Sequence, residues 1–186
     1  MEFQEVIRNR KSVYPTSYLP EVKIDKNSLE LILENAQWAP THKLSMPWRF
    51  IVFHSPESRL QLSTYLADFY RTHTQPEVFS ADKMEKIAQN PLKSDAVIAI
   101  CMLPDPTLPE FEEIAATAMA VQNMWLTCTN LHLGCYWSTP QAALHAQTFL
   151  QLEPTEKCLG LFYIGHYQAY STNRQRPPLS ERTRWK

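Results

Sequence analysis

Residues 110–140 read EFEEIAATAMAVQNMWLTCTNLHLGCYWSTP, and this stretch decides the fold. Glu110, Glu112 and Glu113 follow Pro109, which suits a helix N-terminus, where free backbone N–H groups attract negative charge. Small and apolar residues then run to Leu133, and Gly134 stands where a C-terminal cap belongs. The spacing predicts a helix from Glu110 to about Leu133. Apolar residues occupy more than one of its sides, so it must be buried on more than one side, inside the domain or against a second chain. A domain this small has trouble enclosing such a helix alone, and a homodimer with the helix at its interface is the expected arrangement. Cys135-Tyr136-Trp137-Ser138 then reads as a short strand.

Working outward, Glu2 to Asn9 reads as a short helix with Phe3, Val6 and Ile7 on one side. Asn27 can cap a second helix, with Glu30 reaching back and Leu29, Ile32, Leu33 and Ala36 at helical spacing until Pro40. Trp48 to His54 is a β-rich run followed by Pro56. A helix over about Glu57–His73 follows, then a variable polar region to Pro91. Ala96 to Met102 is a continuous apolar run closed by Pro104, hence a buried strand. Gln141 to Leu150 reads as a helix and Leu159 to Gly165 as a final strand. Helices and strands mix without strict alternation, which favours an α+β fold. The length suits one domain over residues 1–186, with 166–186 as an extended polar tail.

The chain has 186 residues, 14 prolines and only 3 glycines. Gly134, Gly160 and Gly165 are too dispersed for a Walker loop or a dinucleotide fingerprint, which hold phosphate by a bare backbone. The formal net charge is -1, so no basic field attracts nucleic acid. The first residues lack the pattern of a secretory signal, and polar residues interrupt the apolar stretch Ile114–Leu133. The expectation is a soluble cytoplasmic protein, with no membrane partner, whose Cys101, Cys128, Cys135 and Cys158 stay reduced. Cys128, His132 and Cys135 have a metal-like spacing, but no second pair follows, so a core reading is preferred and no metal is expected. His54, His73, His145 and His166 have no distinguishing context, and no nucleophile elbow occurs.

Three segments carry the chemistry. Arg8-Asn9-Arg10-Lys11-Ser12 gathers cations and a hydroxyl where a helix gives way to a loop. Ala39-Pro40-Thr41-His42-Lys43-Leu44-Ser45-Met46-Pro47-Trp48 runs between helix and strand. Gly134-Cys135-Tyr136-Trp137-Ser138-Thr139-Pro140 follows the long helix. With Arg174-Gln175-Arg176-Pro177 in the tail, their order and separation resemble the FMN-dependent nitroreductase family, and the resemblance spans essentially the whole chain. The A-P-x-H form with His42 is similar to its small, single-domain bacterial members.

The resemblance implies a nitroreductase-like fold with a central mixed or antiparallel sheet flanked by helices. It implies a homodimer binding FMN and using NAD(P)H to reduce nitroaromatic or quinone-like small-molecule acceptors in ping-pong order. Arg10, Lys11, Ser12, Arg174 and Arg176 would hold the phosphate, for which guanidinium, ammonium and hydroxyl groups are the donors in the absence of a glycine loop. Trp38 would contact the cofactor, His42 would reach the cofactor of the opposite subunit, and Trp137, Ser138 and Thr139 would line the ring. Flavin carries the redox chemistry, so no catalytic side chain is required.

The same residues have plainer readings. Arg10 and Lys11 also suit a helix C-terminus, His42 could bond backbone, and Trp137 could be core or ring wall; Trp48 and Trp125 read as packing. Family members often carry Asn and Gln where Leu44 and Met46 stand, a glycine at Pro140 and a proline at Tyr167. These departures keep two other activities open: an oxygen-dependent or substituent-removing reaction of reduced flavin on the same fold, or flavin binding without catalysis.

Overall fold

A computed structural model describes residues 1–168 and 175–186. In chain order the elements are α1 (Phe3–Asn9), α2 (Lys26–Ala36), β1 (Trp48–Phe53), α3 (Pro56–His73), α4 (Ala81–Lys93), β2 (Ala96–Met102), α5 (Glu110–Asn130), β3 (Gly134–Ser138), α6 (Gln141–Leu144), α7 (Gln147–Leu150) and β4 (Lys157–Gly165). The α+β expectation holds. The strands form an antiparallel sheet in the order β1-β2-β4-β3, and the parallel component is an isolated bridge between Ser12 and Cys135.

Every residue of β2 is buried, as its unbroken apolar run requires of a central strand covered on both faces. Side chains alternate between the faces. Ile98, Ile100, Phe162 and Ile164 pack with Ile32 of α2 and Ala116, Ala120 and Met124 of α5. Val97, Ala99, Leu161 and Tyr163 pack with Leu62 and Leu66 of α3 and with Ala142 and Ala143 of α6. Each fully buried Val, Leu, Ile, Phe or Met side chain among these stabilises the fold by about 1.5–3 kcal/mol relative to exposure.

Several boundaries differ from the sequence reading for local reasons. Asp25, not Asn27, caps α2, its carboxylate accepting from the Ser28 amide at 2.9 Å and the Ser28 hydroxyl at 2.6 Å. The polar stretch before Pro91 is helix α4, capped by Ser80 and continuing through Pro91 to Lys93. The buried Arg59 guanidinium donates to the Leu92 and Ser94 carbonyls, satisfying backbone groups at that helix end. The expected helix over Gln141–Leu150 is two short helices. Gly134 does not cap α5: Leu131 does, with His132 at φ 57° completing the turn, and Gly134 begins β3. There a Cβ would meet Val13 Cγ1 at 2.9 Å, so glycine lets the N-terminal segment lie against β3.

All four cysteines are buried and free. Cys101 and Cys158 are partners across β2 and β4, beside the irregularity where the ladder skips Leu159. The hydrogen bond between their thiols raises the Cys101 pKa, with burial acting in the same direction, and lowers that of Cys158 against the opposing effect of burial. Burial, then the neighbouring Cys128, raises Cys135 well above the ordinary thiol range. The expected result with a thiol reagent at neutral pH is negligible labelling of native Cys101 and Cys135, and four equivalents after denaturation.

Candidate functional site

The site is built around β3, an edge strand of the sheet. Arg10 caps α1 through its amide, and the following residues run beside β3: Ser12 bridges Cys135, and the Val13 amide donates to the Cys135 carbonyl at 3.0 Å. The Arg10 guanidinium lies over the Trp125 ring at 4.8 Å, while the Trp125 indole donates to the Lys11 carbonyl at 3.0 Å. The Lys11 ammonium lies over Tyr167 at 5.2 Å. Trp125 therefore does more than fill the core: it holds the cationic segment in place. Tyr18 fastens the next turn, its hydroxyl 2.8 Å from the Val13 carbonyl and 3.1 Å from that of Tyr163.

Strand alternation separates residues that the sequence reading placed together. Trp137 packs against the cluster formed by α2 and α5, whereas Tyr136 packs on the opposite face. Tyr136 lies 6.3 Å from Tyr163 in a stacked arrangement and 4.6 Å from Tyr14, so rings connect the N-terminal segment to the middle of β4. On that face a cavity of about 630 Å³ opens beside the end of β3. Ser138, Pro140, Tyr163, Tyr70, His145 and Lys83 are among its lining residues. Its size is within the range of small-molecule and cofactor sites. Burial, with Tyr136 beside it, raises the Tyr163 pKa, so this phenol stays neutral in the cavity wall across the physiological range.

The indole Nε1 of Trp137 is buried and finds no hydrogen-bond partner among the described residues. It lies against Gly160, where an added Cβ would come within 2.6 Å of Nε1 and 2.4 Å of the Ser138 carbonyl. Gly160 also has φ +134°, a backbone conformation that L side chains rarely adopt. The residue beneath the β3 terminus therefore has to be glycine.

The remaining candidates lie elsewhere. Trp38 is 81% exposed just beyond α2. His42 sits at the first turn of α5, its Nδ1 2.5 Å from Glu112 Oε2. Trp125 is thirteen residues further along that helix, about 20 Å at 1.5 Å per residue, so one chain does not bring His42 to the Arg10 segment. Thr139 and Arg176 are exposed, and Arg174 lies outside the described residues. Sequence reasoning missed Tyr14, Tyr70, Lys83, Tyr136, His145 and Tyr163. The period-two pattern of β3 could have flagged Tyr136 as lying on the Ser138 face; the residues from α3, α4 and α6 converge only through tertiary packing.

Residues 7–166 match the model of the nitroreductase family, and the chain belongs to that family. This places it among the oxidoreductases. YdgI of Bacillus subtilis strain 168, which bears an NAD(P)H nitroreductase name, is 41% identical over 71 residues, covering 38% of this chain and 32% of that protein. YfhC of the same organism, similarly named, is 20% identical over 96% of this chain and 91% of its own length. A nitroreductase-like protein from Bacillus cereus superposes with a TM-score of 0.85 at 24% identity, over 100% of this chain and 96% of that one. The fold is nitroreductase-like. Among the described residues no helix is long and apolar enough to cross a membrane.

Proposed function

We propose that the protein is a homodimeric FMN-dependent oxidoreductase that draws electrons from NAD(P)H and delivers them to nitroaromatic or quinone-like acceptors. The observation that carries this reading is the bridge between Ser12 and Cys135, which sets Arg10-Lys11-Ser12 against the strand leading to the Ser138 cavity. Solved neighbours support it, for one from Desulfovibrio desulfuricans is in complex with FMN (24% identity, TM-score 0.74, 100% and 97% coverage). The residues present suit the cofactor. Arg10 and Lys11 offer charge and Ser12 a hydroxyl for its phosphate, and Ser138 and Thr139 offer backbone N–H groups near its ring, whereas Trp137 turns to the other face of β3. Arg174 and Arg176 are proposed as further phosphate ligands.

Bound FMN supplies two-electron redox chemistry between NAD(P)H and the acceptor. The protein's part is to bind, orient and exclude water. Tyr163 gives one wall of the cavity, with Tyr136 stacked beside it, and Pro140, which has no N–H, leaves hydrogen bonding to its two predecessors. Phe111, Ile114 and Met119 of α5 are 71%, 42% and 40% exposed, an apolar face that a second copy would cover. A dimer joined there would bring His42 and Trp38 of one chain to the ring of the other. The expected result is that the purified protein takes up FMN, sediments as a dimer, and loses its flavin absorbance anaerobically on addition of NADPH or NADH. Bound flavin that neither nucleotide reduces would replace this reading with flavin binding without catalysis. Rapid reduction without turnover of any nitro or quinone acceptor would favour the oxygen-dependent or substituent-removing alternative, to which Leu44, Met46 and Pro140 point.

A further inference from the structure

Tyr163 is 3% exposed, and its backbone carbonyl accepts from Tyr18, but its phenol hydroxyl has no hydrogen-bond partner among the described residues. A buried hydroxyl without a partner is costly, whereas one that faces a cavity keeps its donor for an occupant. Tyr163 lines the cavity of about 630 Å³ beside the end of β3. The wall of that cavity therefore offers a donor that the fold itself does not use. Leu66, Phe69, Ile87 and Pro140 make much of the remaining lining apolar.

Lys83 of α4 lines the same cavity from its exposed side and forms no salt bridge among the described residues. Its position is fixed at three points. The Ser80 hydroxyl oxygen accepts the Lys83 amide at 3.3 Å, the Ser80 amide donates to the Tyr70 hydroxyl at 3.2 Å, and the ammonium lies 5.3 Å from the centroid of the Tyr70 ring. Among the described residues that line the cavity none is acidic, and Lys83 carries the permanent charge. The nearby carboxylates are turned elsewhere: Asp82 and Glu85 line a separate recess with Lys86 and Lys93, and Asp68 pairs with Arg71 at 2.8 Å. A cation held in place without a carboxylate partner, at the edge of a largely apolar cavity, suits an anionic group on a ring compound.

We propose that this cavity binds the electron acceptor, and that the acceptor is a planar aromatic nitro compound or quinone carrying one anionic group. Lys83 takes the anion, the Tyr163 hydroxyl donates to a nitro or quinone oxygen, and the apolar side chains hold the ring between them. The assignment rests on the flavin oxidoreductase reading, which places the backbone N–H of Ser138 near the flavin ring. Ser138 lines the same cavity, so a ligand bound here lies beside that ring.

The test is equilibrium dialysis of the oxidised, FMN-loaded protein against 4-nitrobenzoate and, separately, against uncharged 4-nitrobenzamide. With no nicotinamide nucleotide present neither compound is consumed, so their different reduction potentials do not enter. The wild type is expected to bind the benzoate about fivefold more tightly than the amide, the scale of an exposed ion pair. Lys83→Met keeps the length of the side chain without its charge and should bring that ratio close to one. Lys86→Met, which removes the same charge from the neighbouring recess, should leave the ratio at its wild-type value. Tyr163→Phe should weaken both compounds by about fivefold, because the hydroxyl serves the nitro group that they share. Addition of NADPH or NADH should then lead to reduction of the bound 4-nitrobenzoate. Equal binding of the two compounds by the wild type, a Lys83→Met ratio equal to that of the wild type, or bound benzoate that goes unreduced while uncharged acceptors turn over would each overturn the proposal. A wild-type protein that takes up no FMN, or whose flavin neither nucleotide reduces, would instead overturn the reading on which it rests, and that result is visible before any variant is made.

Discussion

Replacing Gly160 with alanine should destabilise the protein by about 3–5 kcal/mol, the range of severe single-site effects. Two independent costs combine. The backbone at φ +134° is strained for any residue with a Cβ, and that atom would sit 2.4 Å from the Ser138 carbonyl oxygen and 2.6 Å from Trp137 Nε1. Neither neighbour can yield easily, since one is backbone and the other a large ring packed against the α2–α5 cluster. Denaturant unfolding followed by tryptophan fluorescence would measure the loss as a lower midpoint. A midpoint within error of the wild type would show that the β3 terminus is free to move away from β4. A variant that does fold should also bind FMN more weakly, because the displaced atoms belong to the proposed ring wall.

The second large effect is expected at Arg10. Arg10→Ala should weaken FMN binding by about 1.5–3 kcal/mol if the guanidinium pairs with phosphate, as hydrogen bonds to charged groups do. Arg10→Lys should recover only part of that loss, since an ammonium cannot reproduce two parallel N–H bonds. The stacking of Arg10 on Trp125 at 4.8 Å complicates the reading, because its removal also takes away a cation–π contact. Such contacts contribute about 0.5–1 kcal/mol at exposed sites and about 2 kcal/mol or more when desolvated. Measuring stability and FMN titration together separates the two. Unchanged FMN affinity with reduced stability would assign Arg10 to structure alone.

The elements most legible in the sequence were those whose burial is symmetrical. Ala96–Met102 reads as a strand with its observed limits, because seven consecutive apolar residues closed by prolines admit little else. The start of α5 was equally clear from Pro109 and the acidic residues after it. Its end was not, because the left-handed turn is made by His132, a residue without glycine's conformational signature. Helix α4 escaped notice because its exposed polar residues and Pro91 resemble a loop until Arg59 is seen supporting its end. For the candidate site, the N-terminal cations and the β3 segment were visible as motifs. The cavity was not: His145 and Lys83 approach Ser138 only once α3, α4 and α6 have packed on the sheet, and no spacing along the chain encodes that.

The turn at His132 has a practical side. The described residues include five side-chain-bearing positions at positive φ, Lys43, Leu44, Met46, His132 and Gln151. Three belong to the loop between α2 and β1, which His42 and Ser45 tether to the first turn of α5. The other two lie at ordinary helix ends, and each carries about 1–2 kcal/mol of conformational penalty that a glycine would remove, less the added freedom it gives the unfolded chain. The protein thus holds unused thermal tolerance at the ends of α5 and α7, open to His132→Asn and Gln151→Gly.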